Sequence, residues 1–553
     1  MPTITISKKE LLKTLGKTTK ELPDKELKDR ISMLGTDLEG IEGDEISVEI
    51  FPNRPDLLSL QGFSRALSSF MSIKPGLKNY EVKSSGEKVI IDSSTKDCRP
   101  YTACAIIKNL KITEEVLKDI IMIQEKLHIT FGRNRKRVAI GIYPMEQIKF
   151  PIYFKGLKPE EIRFRPLEAR GEMTAKQILE DHPKGKDYAH LMTGLKRYAC
   201  FIDSNNEIMS MTPIINSDKT GKISEKTTEV FVECSGFDFR IVNETLNMIV
   251  TSLADMGGKI YSIELDYKTT NTRETTPNLK PKKMKLDLVY VNKLLGLELK
   301  EKESKKLLEK MGYGYDEKTK NALIPSYRTD IMHQVDFAED IAIAYGYENF
   351  EETIPNVATI AEENSLEKFA KKIRNFLVSH NLVETKGFNL ISSSNIKKLS
   401  IKEKPVVLAN SVSDNHDILR PNLLGSLMTN FNKNKQYEYP QRMFEIGRTF
   451  KLDNGLETGV RESTSLVIGI IGEEANFTAI RQIADSLFSA LGIDAKYESH
   501  SHPSFIEGRC ATINNKGLFG EISPVVITNY ELEYPAAVLE IDLEGLFELV
   551  KNK

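Results

Sequence analysis

The chain has 553 residues, 40% of them hydrophobic and 28% charged, so roughly three or four domains with ordinary globular cores are expected. A net charge of −2 excludes nucleic-acid binding through overall charge, so any such contact has to come from local basic patches. Five scattered cysteines without a C-x-x-C pair argue against zinc and a disulfide framework, no run approaches the ~18 apolar residues of a membrane span, and Met1-Pro2-Thr3-Ile4 lacks the basic head and apolar core of a secretory signal, so a reducing cytoplasm fits.

Residues 1–85 read as an N-terminal module. Ile46, Val48 and Ile50 alternate with polar neighbours, the pattern of a half-buried strand. Asn53-Arg54-Pro55-Asp56 then forms a strand-to-helix turn, with Pro55 suited to a first helical turn. The helix carries Leu60, Phe63, Leu67 and Phe70 on one face.

Residues 86–270 alternate strands and helices. Tyr101 to Leu110 and Val138 to Ile142 read as strands, and Glu114 to Leu127 and Phe239 to Met256 as helices. Arg133-Asn134-Arg135-Lys136-Arg137 is a basic cluster, read either as a solvated charge run or as a phosphate contact. Glu233 and Ser235 end a strand ahead of the Phe239 helix. Residues 271–284, rich in Thr, Pro and Lys, read as a linker.

Residues 285–352 hold two short helices, a strand near Ala322 to Pro325 and a helix ending at Gly346. On that helix Asp336, Glu339 and Asp340 are spaced i, i+3, i+4, with Asp330 just ahead of it. Like charges this close repel unless a cation or a basic partner sits among them. Hard oxygen ligands of this kind suit magnesium, while acidic residues also favour a first helical turn because of the helix dipole. Residues 360–553 open on an amphipathic helix, Leu366 to Val378, and continue in apolar strands that include Leu466 to Ile471 and Ala537 to Ile541.

The pattern Arg328-x-Asp330-Ile331, Asp336-x-x-Glu339-Asp340-Ile341 and Tyr345-Gly346-Tyr347 resembles a tRNA-interacting module of the phenylalanyl-tRNA synthetase beta subunit. Asn53-Arg54-Pro55-Asp56-Leu57-Leu58-Ser59 with Gly62 resembles a signature near the start of the same family. The resemblance spans essentially the full chain, in the order of the shorter archaeal and eukaryotic-cytosolic members, without an extra N-terminal tRNA-binding barrel or a C-terminal anticodon-binding appendage.

It implies an α+β multidomain protein. In order these are the N-terminal module, an editing domain at 86–270, a small tRNA-interacting helix-strand module, and a class II synthetase-like antiparallel sheet domain without catalytic motifs. It implies Mg2+ on Asp330, Asp336, Glu339 and Asp340 at the contact with an alpha subunit. That subunit would carry ATP, phenylalanine and the aminoacylation chemistry in an alpha-two beta-two tetramer acting on phenylalanine tRNA in the cytoplasm.

For residues 86–270 the resemblance implies hydrolysis of tyrosine wrongly esterified to phenylalanine tRNA. A pocket shaped for phenylalanine cannot strongly reject an isostere that only adds a hydroxyl, so a second pocket has work to do. Pro213 to Ser217 and Phe231 to Ser235 match segments lining that pocket. Glu233 is the residue implied to read the tyrosine hydroxyl, with Ser217 and Ser235 as polar lining; the bland alternative for Glu233 and Ser235 is a strand end and helix cap. Where the family usually shows a His-Asp pair after Ala139-Ile140-Gly141, this chain has Ile142 and then Tyr143-Pro144.

In the last domain, Arg442 to Phe450 resembles motif two of class II synthetases, and His502 to Arg509 with Gly517 to Pro524 resembles the beta subunit's synthetase-like domain. Motif three with its ATP-binding arginine, a Walker A loop and a class I His-x-Gly-His are all missing. The domain is therefore expected to be a silent copy. Two further classes fit residues 86–270 or the fold as a whole: a stand-alone ester hydrolase on mischarged tRNA, and a non-catalytic RNA-binding scaffold.

Overall fold

The computed structural model describes residues 2–358 and 360–551, in two compact units, Met1–Thr353 and Ile354–Lys553. The architecture is mixed α/β. Among the described residues no helix is long and apolar enough to cross a membrane. All five cysteines are buried and free.

The first unit opens on a three-stranded sheet of β1 (Thr3–Ser7), β2 (Asp37–Glu42) and β3 (Glu45–Glu49), ordered β1-β3-β2. Ile46, Val48 and Ile50 are fully buried, as the alternation predicts. The Asn53-Arg54-Pro55-Asp56 turn begins a short 3-10 turn, Pro55–Leu57, and only then the helix Leu60–Phe70, capped by the Ser59 hydroxyl at Gly62 N. Arg54 grips Asp56 through two hydrogen bonds of 2.9 Å, both side chains buried. Burial alone would push the Asp56 carboxyl up; the Arg54 guanidinium holds it below its usual range. Gly62 is required here, because any Cβ would collide with the Asp56 carbonyl oxygen. The motif is thus a self-bonded turn.

The central element is a ten-stranded sheet. It contains β4 (Val82–Ile91), β5 (Tyr101–Lys108), β6 (Val138–Pro144) and β7 (Ile152–Leu157). After a small hairpin of β8 (Arg163–Phe164) and β9 (Met173–Thr174), it continues with β10 (Tyr198–Ile202), β11 (Ile208–Thr212), β12 (Ile215–Asn216), β13 (Val230–Gly236), β14 (Lys259–Tyr267) and β15 (Thr272–Thr276). The order is β12-β11-β10-β7-β4-β14-β5-β13-β6, with β15 added on β14. β13 and β6 are buried along their whole length, the signature of strands covered on both faces. Ile140, Ile142, Val230 and Val232 face the core shared with helices Glu114–Ile129 and Phe239–Asp255. Tyr143, Phe231, Phe154 and Phe201 fill a second, aromatic core on the other face.

Residues 271–284 are not a linker, contrary to the composition. Thr272–Thr276 pairs with β14, and the Thr276 hydroxyl bonds the Cys104 backbone through both its N–H and its C=O. Threonine is β-branched, and here its strand propensity outweighs the turn signal of the neighbouring prolines. Lys282–Lys285 is β16, which with β17 (Gly314–Asp316) and β18 (Asn321–Ile324) forms a sheet ordered β16-β18-β17. Helices Leu288–Leu295, Glu301–Lys310 and Gln334–Tyr345 complete this module. Its buried residues, Val291, Tyr313, Ile324 and Phe337 among them, belong to the same continuous core as the N-terminal module.

The second unit is a seven-stranded sheet in the order Val383–Glu384, Gln441–Leu452, Val460–Ile471, Ala536–Asp542, Gly517–Ile522, Phe505–Ile513 and Tyr497–Ser499. All pairs are antiparallel except the first. Helices Ser365–Ser379, Phe477–Ala490 and Leu543–Lys551 share one core with it. Leu424–Lys433 packs in a second core. Arg420 and Glu445 form a fully buried ion pair at 2.6 Å between the chain before that helix and the Gln441–Leu452 strand.

Candidate functional site

In an antiparallel pair, residues directly opposite share a face. Glu233 on β13 lies opposite Gly141 on β6 and Cys104 on β5, and Phe231 lies opposite Tyr143. β6 and β12 are the two ends of the strand order, and the sheet curls until they meet. The Tyr143 hydroxyl donates to Ser210 Oγ at 2.9 Å, with Asn216 Oδ1 at 3.3 Å and Glu233 Oε1 at 3.4 Å as further acceptors in reach. Gly141 makes room for this cluster: a Cβ there would strike both the Glu233 carboxyl and the Tyr143 phenol.

Against the cluster opens a cavity of about 420 Å³, a volume suited to a small-molecule moiety. Ile120, Ile140, Ile142, Met211 and Ile214 supply apolar wall, and Glu233, Asn216, Gln124, Glu125 and Arg135 supply polar atoms. Glu233 is 2% exposed. Its Oε2 is buried without a hydrogen-bond partner. Burial pushes this carboxyl up to about 8, against the opposing pull of the Arg99 guanidinium, so it is neutral at pH 7. Arg99 in turn donates to the Ser235 hydroxyl at 3.1 Å and to the Ser235 carbonyl at 2.7 Å.

The basic run splits by position. Arg135 is buried and lies over the Tyr188 ring; it donates to the Pro213 and Ile214 carbonyls and to Glu125 at 3.0 Å. It thereby ties the chain before β6 to the β11–β12 turn. Arg133, Asn134 and Lys136 are exposed. His128 accepts from Ile140 N–H through Nε2 at 2.8 Å, and burial pulls the imidazole down to about 4, so its accepting nitrogen is already used. Burial pushes the Cys104 and Cys234 thiols far up. The pocket therefore offers hydrogen-bonding recognition without a thiolate nucleophile or a free imidazole base.

Of the residues singled out by sequence, Glu233 lines this cavity. Ser217 is buried, and its hydroxyl caps the short helix Asp218–Gly221 by accepting from Lys219 N. Ser235 is buried behind Glu233 as the partner of Arg99, while the Phe239 helix takes its cap from Asp238. Tyr143, Asn216, Ser210 and Arg99 were not singled out as site residues. Asn216 lies within the matched Pro213 to Ser217 segment and Tyr143 is a departure from the expected pattern; Ser210 and Arg99 carry no mark in the sequence.

The acidic helix has a different geometry from a metal cage. Arg328 reaches Asp330 through two hydrogen bonds, at 2.8 and 2.7 Å, and Asp340 through a third at 2.8 Å. Asp340 also accepts from the Tyr313 hydroxyl. Asp336 accepts from Met332 N and His333 N at 2.6 and 2.7 Å, capping the helix, and exposed Glu339 accepts from the Tyr347 hydroxyl. The basic partner that such carboxylates require is Arg328. Among the described residues no group of three or more His, Cys, Asp or Glu side chains is placed to hold a metal ion. The four oxygen donors therefore do not fit a magnesium held by this chain alone. Chelating divalent ions is expected to leave the thermal unfolding of the isolated chain unchanged, because Arg328 supplies the compensating charge; a clear fall in Tm with chelator would overturn this assignment.

Comparison with known proteins bears on both units. Residues 284–347 match the family described as the tRNA synthetase B5 domain, and residues 350–543 match the phenylalanyl tRNA synthetase beta chain CLM domain. Both are modules of aminoacyl-tRNA synthetases. The chain is 35% identical over 559 residues to a phenylalanine–tRNA ligase beta subunit of Methanosphaera stadtmanae, covering 98% of this chain and 99% of that one. It is 40% identical over 504 residues to the Pyrococcus abyssi beta subunit, 90% of each chain. An N-terminal fragment of the Pyrococcus horikoshii phenylalanyl-tRNA synthetase beta subunit superposes with a TM-score of 0.59 at 39% identity, covering 62% of this chain and 99% of the fragment. The chain belongs to the family of phenylalanine–tRNA ligase beta subunits.

Proposed function

We propose that this chain pairs with an alpha subunit in an alpha-two beta-two phenylalanine–tRNA ligase of the cytoplasm, and that its first unit hydrolyses tyrosine mistakenly attached to phenylalanine tRNA. Membership of the family supports the partner and the tRNA. Glu233, buried with one oxygen unpaired and lining a largely apolar cavity, carries the editing reading. In this reading the apolar wall takes the aromatic ring, and Glu233 meets the para hydroxyl that distinguishes tyrosine from phenylalanine. No thiolate or free imidazole lies at the cavity, so the ester would be cleaved by water held against the bound aminoacyl group.

The second unit, an antiparallel sheet covered by helices, is read as a silent synthetase-like domain. Motif three is missing, and the fully buried Arg420–Glu445 pair is sealed from any substrate. Of the four acidic residues, Asp330 and Asp340 anchor Arg328 in this reading. Glu339, which is exposed, and Asp336 are the two that magnesium at a subunit contact would meet.

The test is deacylation of both charged tRNAs by the reconstituted complex, with ATP–pyrophosphate exchange on the beta chain alone. The complex should release tyrosine much faster than phenylalanine, and the lone chain should show no phenylalanine-dependent exchange. Equal release of the two amino acids would sink the editing reading. Clear exchange by the lone chain would sink the silent domain.

A further inference from the structure

The pairing of β6 with β13 sets the Tyr143 phenol beside Glu233, and the curl of the sheet adds Ser210 and Asn216 to the same cluster. Three observations bear on the role of Tyr143. The side chain is fully buried, and its hydroxyl reaches acceptors on β11, β12 and β13, which belong to both ends of the sheet. Gly141, opposite Glu233, leaves no side chain between the phenol and the carboxyl. Finally, of the two Glu233 oxygens, Oε1 is within reach of Tyr143 and Oε2 has no partner.

A carboxyl has two oxygens and rotates about its last bond. A phenol set beside Ser210 and Asn216 limits that freedom when its single proton is given to one of the carboxyl oxygens. We propose that Tyr143 is a positioning residue for the editing pocket: it holds Glu233 Oε1, and so fixes Oε2 as the carboxyl oxygen left for a hydroxylated aromatic side chain. The proposal rests on the editing reading above. It adds that Tyr143 is what orients the recognition group. A carboxyl free to turn would offer its oxygens to solvent-filled space as readily as to the substrate, and discrimination would fall while the cavity stayed intact.

The groups facing Glu233 are Arg99, Tyr143, Cys104 and its neighbour Cys234. The Arg99 charge, then hydrogen bonding from Ser235 and from Tyr143, favour the ionised carboxylate, against the dominant effect of burial. Removing the phenol hydroxyl therefore raises the pH at which Glu233 ionises.

The experiment compares wild type with Tyr143→Phe in the reconstituted complex, following release of tyrosine and phenylalanine from the two charged tRNAs across pH 6 to 9. The ratio of tyrosine to phenylalanine release should fall about tenfold in Tyr143→Phe, roughly the loss of one oriented hydrogen bond. The pH at which tyrosine release changes should move upward. A purely structural role would slow release without moving that profile. If Tyr143→Phe folds poorly, Ser210→Ala, which loosens the phenol's nearest anchor, should show the same two changes to a smaller degree. Wild-type release that distinguishes the amino acids, with ratio and profile unchanged in both variants, overturns the role of Tyr143 alone. A wild-type complex that releases neither amino acid overturns the editing reading, and this proposal with it.

Discussion

Glu233→Ala is expected to lower the ratio of tyrosine to phenylalanine release about tenfold to a hundredfold, the equivalent of losing ~1–3 kcal/mol of hydrogen bonding to the tyrosine hydroxyl. The effect falls on selectivity at least as much as on rate, because the carboxyl touches the distinguishing hydroxyl and not the ester. Glu233→Gln should retain much more of the ratio. At pH 7 the native side chain is a neutral acid, and an amide of the same shape is also neutral and able to donate or accept. The glutamine variant carries a second signature. Folded Glu233 keeps its proton up to about pH 8, while the unfolded side chain loses it near 4.5. Between those values the folded state holds the extra proton, so wild-type stability falls as pH rises through the window, by on the order of a few kcal/mol. Glutamine cannot ionise. Urea unfolding should therefore show Glu233→Gln gaining on wild type between pH 5 and pH 8. An alanine variant with an intact tyrosine-to-phenylalanine ratio would make Glu233 a strand-end residue and move the recognition group elsewhere.

Much of the fold was legible because it rests on local periodicity. The predicted helices around Glu114 and Phe239 are Glu114–Ile129 and Phe239–Asp255, and the amphipathic stretch around Leu366 is Ser365–Ser379. Each buries the face its spacing marks. What could not be read locally was pairing across distance. Tyr143 meets Glu233 across 90 positions through the pairing of β6 with β13, and Ser210 across 67 because the two ends of the sheet curl together. A sequence shows a tyrosine at 143 without showing what its hydroxyl reaches. The hydroxyls of Ser217 and Ser235 have local partners for a related reason: a short hydroxyl beside a backbone amide or an arginine is satisfied there first.

The acidic helix shows how much spacing leaves open even where the helix itself is placed correctly. Residues at i, i+3 and i+4 share a side, but their long side chains diverge. Asp336 turns back to its own N-terminus, Glu339 runs toward Tyr347, and Asp340 points inward to Arg328. Arg328 was within the recognised pattern, two residues ahead of Asp330. Its pairing with Asp340, twelve positions on, depends on the chain from Tyr327 packing against the helix.

Arg328→Ala should consequently destabilise the first unit by ~3–5 kcal/mol, the usual loss when one member of a buried charge cluster is removed. The Arg328 side chain is 1% exposed, and Asp330 and Asp340 are 10% and 8% exposed, so water does not replace the guanidinium. Truncation leaves two carboxylates facing each other, with the Tyr313 hydroxyl the remaining side-chain donor to Asp340. It also withdraws the cation lying over the Tyr313 ring. Arg328→Lys restores the charge but not the fork: one ammonium cannot reproduce two parallel bonds to Asp330 while also reaching Asp340, so about half the loss should remain. Double substitution with Asp340→Asn should recover part of the alanine variant's stability, since it removes one of the stranded charges. Denaturant unfolding of the full chain, followed by a probe in the first unit, measures all three. A loss below about 1 kcal/mol in Arg328→Ala would show that another cation takes the guanidinium's place, and would return the four carboxylates to candidacy as a metal site.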